Sequence, residues 1–273
     1  MIYKYIANFF VKNGIKSVNI DFDNTILIIN SYHELTKNLQ NKITNYEINK
    51  FITNRNLQYD FADFYGFINF VTELQKVNII VTIVSFGIRE IIQYYMNYAN
   101  LIVEISTPTD LGMKDGSFIP GYKIPQLSQI AIKNNIEFNN MLFIDGNNYN
   151  IQLAILVGVK SFHVRNSGLI FTEIYRMILM LYNKDIRILD IAVKNETFCE
   201  INRNETEKIL LCKPNGSYLI RPSFSNILDI NISYKSNEQI YHILITDLSK
   251  YIEMSNLMIA TNNYFYNPII IKN

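Results

Sequence analysis

Ile15-Lys16-Ser17-Val18-Asn19-Ile20-Asp21-Phe22-Asp23-Asn24-Thr25 decides the fold of the first half of this chain. A short apolar, β-branched run that ends in two carboxylates and a turn-forming Asn-Thr has the pattern of a strand buried on both faces, with its carboxyl end open to solvent. Working outward, similar runs occur at Val77–Ser85, Leu101–Ser106, Met141–Asp145 and Val159–Val164. Helical patterns lie between them at Asp63–Lys76, Ile88–Ala99, Ile124–Asn134 and Asn150–Val157, and one more amphipathic helix over Leu169–Tyr182 can pack on the sheet. Strands alternating with helices imply a parallel, Rossmann-like sheet with right-handed crossovers. The stretch between Asp21 and Ser85 is about twice what a bare crossover of roughly 30 residues needs. The surplus, residues 30–62, reads as a small helical cap insertion.

In open parallel sheets, ligands bind beyond the carboxyl ends of the strands. Three strand ends here carry chemistry: Asp21 and Asp23, then Ser85-Phe86-Gly87, then Asp145-Gly146-Asn147. Asp21 and Asp23 share a face on extended backbone, with Phe22 pointing away. Two converging carboxylates repel, and a hard, oxygen-liganded cation such as Mg²⁺ relieves that; Asp145 is the natural further oxygen donor. Ser85 offers a hydroxyl and neighbouring backbone N–H groups to a phosphate oxygen. Lys123, opening a helix in Gly121-Tyr122-Lys123-Ile124-Pro125, can offset the charge, and Lys114 is a second candidate.

In this order, DFDNTI, IVSFG, GYKIPQL and LFIDGNNYNI resemble the four motifs of haloacid dehalogenase-like (HAD superfamily) phosphatases, over roughly residues 1–165. The resemblance implies that Asp21 is a nucleophile forming an aspartyl-phosphate, and that Asp23 is a general acid and then the base activating water. It implies that Ser85 and Lys123 hold the phosphoryl group. Mg²⁺ would be held by Asp21, the Asp23 carbonyl and Asp145. Many members carry a second acid directly after the fourth-motif Asp; here Gly146 stands there, with Asn147, Asn148 and Asn150 nearby.

The pattern changes after residue 195. A helix over Asn204–Leu211, a Pro214-Asn215-Gly216 turn and alternating strands at 217–221, 228–234 and 240–246 make a small α+β domain. The expected domains are 1–182 and 195–273. Arg221 lies in a strand between apolar neighbours, where an unpaired guanidinium is costly and a bound phosphate dianion is a good partner. The competing reading is a pairing with an internal carboxylate. Gly216–Ser225 resembles the F-L-V-R-x-S core of Src-homology-2 domains, over roughly 198–270. The resemblance implies that Arg221 is the main phosphotyrosine ligand, that Arg203, Ser223 and Ser225 support it, and that His242 shapes the pocket. Phe198 stands in for the usual starting Trp.

The chain has 273 residues, a net charge of +1 and two cysteines. That balance gives no electrostatic support for nucleic acid or membrane partners, and the cysteine count argues against a disulfide-built secreted fold. Cys199 and Cys212 are not in a Cys-x₅-Arg arrangement, so cysteine-phosphatase chemistry is unsupported. The start, MIYKYIANFFVKNG, reads as an amphipathic helix. His33 and His163 lack spaced metal-ligand partners. The Ile-, Asn-, Lys- and Tyr-rich composition suggests an AT-rich genome such as many viruses and parasites have. The expected location is the cytoplasm, the host's if so. The two resemblances together imply an aspartate-based protein tyrosine phosphatase whose partners are phosphotyrosine-containing proteins. Two other readings stand beside it: a phosphotyrosine-binding decoy with a weak or inactive phosphatase domain, and a phosphatase for small molecules or polynucleotide ends.

Overall fold

The structure is a computed structural model and describes residues 2–37, 43–117, 119, 122–165, 167–184, 186–194, 198–246 and 267–268. Outside the described residues lie 38–42 of the expected cap, Gly121 of the GYKIPQL motif, and 247–266 of the expected second domain. The chain divides into two compact units, Ala7–Glu173, and Met1–Ile6 together with Ile174–Asn273. The division falls inside the helix Phe171–Leu181, rather than at the linker expected near 183–195. The side chains give the reason. Tyr175 stacks on Phe198, ring centroids 5.3 Å apart, and its hydroxyl donates to the Asp229 carbonyl at 2.9 Å.

Unit Ala7–Glu173 is built on five parallel strands: β1 (Ser17–Ile20), β2 (Ile80–Val84), β3 (Glu104–Ser106), β4 (Met141–Asp145) and β5 (Lys160–His163), in the order β3-β2-β1-β4-β5. β1 and β4 are buried along their whole length, as apolar runs covered on both faces must be. One core cluster packs Val84, Phe143 and Met141 of the sheet against Leu127 and Ile130 from the helix Ile124–Asn134 and Ile151 and Ala154 from the helix Asn148–Leu156. Register then fixes the site. Ile20 pairs with Ile83 on one side and Ile144 on the other, so the strands run out of ladder together. Asp21 donates its backbone N–H to the Ile144 carbonyl at 2.8 Å, which sets it beside Asp145.

The insertion after β1 begins with one wide turn, Phe22–Ile26, in which Asn24 takes φ 57°. Helices follow at Ser31–Thr36, Asn45–Thr53 and Leu57–Asp60. Asn30 caps the first through the His33 N–H, and Thr44 with Glu47 forms a capping box at the second. Backbone bonds from Ile28 to Asp60 and from Ala62 to Ile26, 2.8 and 3.0 Å, close the insertion at its base. Asp63 then caps the helix Phe64–Lys76 that leads to β2.

The second unit contains the helix Arg203–Leu211, capped by an Asn202–Glu205 box, and the strands β6 (Ser217–Pro222), β7 (Ile230–Ser236), β8 (Gln239–Ile245) and β9 (Asn267–Pro268). Their order is β8-β7-β6-β9, with β6-β7-β8 an antiparallel meander. Cys199, Leu210 and Leu219 form its small core. The fold is therefore a Rossmann-like α/β unit with a small helical insertion, followed by an α+β unit, as the strand-and-helix pattern implies.

Candidate functional site

A cavity of about 600 Å³ opens at the carboxyl ends of β1, β2 and β4. Asp21, Asp23, Ser85, Lys123 and Asp145 all line it, so the structure brings together every residue that the sequence placed in the first site. Lys114 is exposed elsewhere; the buried lysine is Lys123, 1% accessible. Its ammonium donates to Asp21 Oδ1 at 2.8 Å and to the Val84 carbonyl, and lies 4.4 Å from the centre of the Phe86 ring. A buried ammonium needs such company, because its desolvation is otherwise uncompensated.

Asp21 is held at both oxygens. Thr25 Oγ1 donates to Oδ2 at 3.0 Å, and Thr25 accepts in turn from the Gly146 N–H at 2.8 Å. One hydroxyl thus ties the β1 end to the β4 end. Asp23 turns differently. Its Oδ1 accepts the Ser31 N–H at 2.7 Å, and its pKa is pushed up to about 6, mainly by burial, with the Asp21 charge adding to it. Its carboxyl group therefore keeps a proton at higher pH than an ordinary aspartate does.

Asp145 is 1% accessible. It accepts from the Asn147 N–H at 2.6 Å and from Asn150 Nδ2 at 2.7 Å. Burial first and the Asp21 charge second raise its pKa to about 8. Two carboxyl groups in this position favour a cation. Among the described residues Asn150 Oδ1 is buried without a hydrogen-bond partner, a spare oxygen in the same cluster. Among the described residues no three His, Cys, Asp or Glu side chains gather as a metal cage. The donor set is instead two carboxylates with neutral oxygens, a hard set that fits Mg²⁺.

At the end of β2, Ser85 Oγ accepts the Gly87 N–H at 2.9 Å, which leaves its proton to donate. Gln126 Nε2 holds the Ser85 and Ser106 carbonyls at 3.0 and 2.9 Å. Tyr32, Phe86 and Tyr149 complete the lining with aromatic rings. His163, at the end of β5, is also on the rim, its Nε2 3.0 Å from the Gly146 carbonyl. Thr25, Gln126 and Phe86 had no role in the sequence reading. Thr25 carries the clearest signal, as the last residue of Asp21-Phe22-Asp23-Asn24-Thr25.

The second site lies in the C-terminal unit. Arg221 is 4% accessible; among the described residues its Nε has no hydrogen-bond partner and its one bond is from NH1 to the Pro222 carbonyl at 3.3 Å. No carboxylate pairs with it among the described residues. Burial, with the Arg203 charge second, holds its pKa below the ordinary arginine value. Ser223 and Ser225 share a hydrogen bond of 2.9 Å. His242, opposite Ser233 in the β7–β8 register, has Nδ1 2.8 Å from Ser233 Oγ and Nε2 2.9 Å from Glu207 Oε1. Arg203 also donates to Glu207 Oε1, at 2.8 Å. Glu207 is the residue missed here; its spacing of four from Arg203 on one helix is the signal. Cys199 is buried, with its thiol pKa pushed up to about 11, so it offers no ready thiolate.

Residues 198–268 match the model of the SH2 domain family. The chain thus carries an SH2 domain after its Rossmann-like unit, and Arg221 lies in that domain. The chain is also similar to several solved structures. A hydrolase from Pseudomonas syringae is 15% identical, over 59% of this chain and 89% of that one, with a TM-score of 0.40. A HAD family enzyme from Bacteroides thetaiotaomicron, solved as a magnesium complex, is 11% identical over 60% and 99%, TM-score 0.36. The 3-deoxy-D-manno-octulosonate 8-phosphate phosphatase from Moraxella catarrhalis is 14% identical over 70% and 97%, TM-score 0.35. No curated protein matches the chain. Among the described residues, no helix is long and apolar enough to cross a membrane.

Proposed function

We propose that the chain is a cytoplasmic, Mg²⁺-dependent phosphomonoester hydrolase that works through an aspartyl-phosphate at Asp21 and acts on phosphotyrosine proteins gathered by its SH2 domain. The observation that carries the reading is the Lys123–Asp21 pair at 2.8 Å, buried beside Asp145 and facing a cavity with a hydroxyl at Ser85. Bonds at both Asp21 oxygens fix the rotation of the carboxylate, as in-line attack requires.

In the first half-reaction, an Asp21 oxygen bonds to phosphorus as the bond to the leaving oxygen breaks. Asp23, whose carboxyl group is held toward the protonated form, gives that oxygen its proton. In the second, the Asp23 carboxylate takes a proton from water, whose oxygen attacks phosphorus. Phosphate leaves and the Asp21 carboxylate is restored. Ser85 and Lys123 hold the phosphoryl oxygens throughout. Mg²⁺, held by Asp21, Asp145 and the Asp23 carbonyl, would supply charge neutralisation for the phosphoryl group.

Two features favour phosphotyrosine over smaller phosphates. Tyr32, Phe86 and Tyr149 offer ring faces to an aryl group. Tethering to a phosphotyrosine-binding domain raises the local substrate concentration toward about millimolar. The test is phosphate release from phosphotyrosine peptides, sugar phosphates and polynucleotide 3′- and 5′-phosphates, each with Mg²⁺ or EDTA. Peptide turnover that needs Mg²⁺ and vanishes in Asp21→Asn supports the reading. Faster turnover of the small phosphates moves the substrate class. Equal rates in wild type and Asp21→Asn leave the arginine pocket as the function.

A further inference from the structure

Glu207 occupies an unexpected place in the arginine pocket. A single oxygen, Oε1, accepts from Arg203 at 2.8 Å and from His242 at 2.9 Å. The resemblance implies that Arg203 supports phosphate binding and that His242 shapes the pocket. Because a carboxylate only accepts, His242 Nε2 must carry the ring proton, and Nδ1 then accepts from Ser233 Oγ. Both hydrogen bonds hold the Glu207 carboxyl below its ordinary pKa, the Arg203 bond contributing most. Arg221 sits within reach of both charges: Arg203 disfavours its protonated form and Glu207 favours it. Among the described residues the pocket therefore contains two cations, one fixed anion and an imidazole that burial holds toward its neutral form, while the buried Nε of Arg221 has no partner there.

We infer that Glu207 is an affinity-setting residue of the phosphotyrosine pocket, a half-exposed carboxylate that engages the flanking donors Arg203 and His242 and repels an incoming phosphate dianion. The inference rests on reading Arg221 as the phosphate ligand. An anion so placed keeps the affinity moderate, and that suits a domain which must release its phosphoprotein to a phosphatase on the same chain. Glu207 is a positioning and tuning residue; it does not itself bind phosphate.

The test uses the full chain in an Asp21→Asn background, so that the probe is not hydrolysed. The probe is phenyl phosphate, which needs no peptide preference, and the signal lost on Arg221→Ala defines binding at this pocket. Glu207→Gln keeps an oxygen acceptor for Arg203 and His242 and removes the charge. It is expected to bind about three- to tenfold more tightly at low salt, with the gain shrinking as ionic strength rises. Restoring wild-type affinity at high salt is a readout that a merely structural role would not move. Equal or weaker binding by Glu207→Gln at low salt overturns the inference while leaving the pocket intact. Absence of any Arg221-dependent binding overturns the pocket reading, and the role of Glu207 with it. Glu207→Ala, which also drops the two hydrogen bonds, separates charge from geometry: it should gain less than Glu207→Gln.

Discussion

Gly146 and Asn24 are in such close contact that a Cβ on Gly146 would lie 2.8 Å from the Asn24 carbonyl oxygen and 3.2 Å from Thr25 Oγ1. The neighbouring atom is backbone, so it cannot swing away. The HAD-like pattern commonly has a second acid at this position. Here there is no room for one, because the wide turn after β1 leans on the β4 end. Gly146→Asp should therefore lower stability by about 1–3 kcal/mol, as overpacking does, and lower activity as well. A thermal melt and a kcat measurement on the same preparation check it. A variant as stable as wild type, with higher Mg²⁺ affinity, would show that the turn yields.

Thr25 is the bridge between the ends of β1 and β4, donating to Asp21 and accepting from Gly146. Thr25→Val keeps the shape and removes both bonds. A hydrogen bond to a charged group contributes about 1.5–3 kcal/mol, so kcat should fall roughly ten- to hundredfold. The Gly146 N–H is left unsatisfied, and stability should fall too. Thr25→Ser, which keeps the hydroxyl, should recover most of the rate. If the serine variant is as slow as the valine variant, the methyl group and not the bond is what matters.

Both residues show what the sequence could and could not tell. The strand ends were legible because Asp21, Ser85 and Asp145 each follow a short, β-branched apolar run, the pattern of a strand buried on both faces. The Src-homology-2 resemblance over roughly 198–270 agrees with the SH2 match at 198–268, and the fold class agrees with the structure in both halves. The links between elements were not legible. The Lys123–Asp21 pair spans 102 positions and the Gly146–Thr25 bond 121, and no local pattern encodes either. The Lys123-Ile124-Pro125 spacing favours Lys123 over Lys114, and burial separates the two. Glu207 was different: its partner Arg203 is one helical turn away, a pairing that spacing alone could have suggested.

Asp60 anchors the insertion to the sheet unit. Arg55 grips both its oxygens at 2.8 Å, and the Tyr95 hydroxyl donates to one of them. Tyr95 is buried, which with the Asp60 bond raises its pKa well above the ordinary phenol value, so it stays a donor. Its ring packs edge-on to Phe22, 5.5 Å away, between the two site aspartates in sequence. Tyr95→Phe removes one bond and leaves Asp60 paired, at a cost of about 1–2 kcal/mol. Arg55→Ala leaves the carboxylate without its cation and should cost more. Urea melts of the two variants check the order; a reversed order would mean that the phenol, not the guanidinium, holds the insertion down.

Tyr32 of the insertion roofs the cavity by lying on Gly116. A Cβ at Gly116 would come within 2.2 Å of the Tyr32 ring, and Gly116 takes φ 77°, where other residues are strained. If the aromatic rim selects an aryl phosphate, both ends of this contact should matter in the same way. Tyr32→Ala removes a ring face and should raise KM for a phosphotyrosine peptide about tenfold, with kcat little changed, the signature of lost uniform binding. Gly116→Ala displaces the ring and should move KM in the same direction. Acetyl phosphate, which has no ring, should be hydrolysed by both variants as by wild type. Equal losses on peptide and acetyl phosphate would place Tyr32 in the fold of the insertion and leave the choice of substrate to the SH2 domain alone.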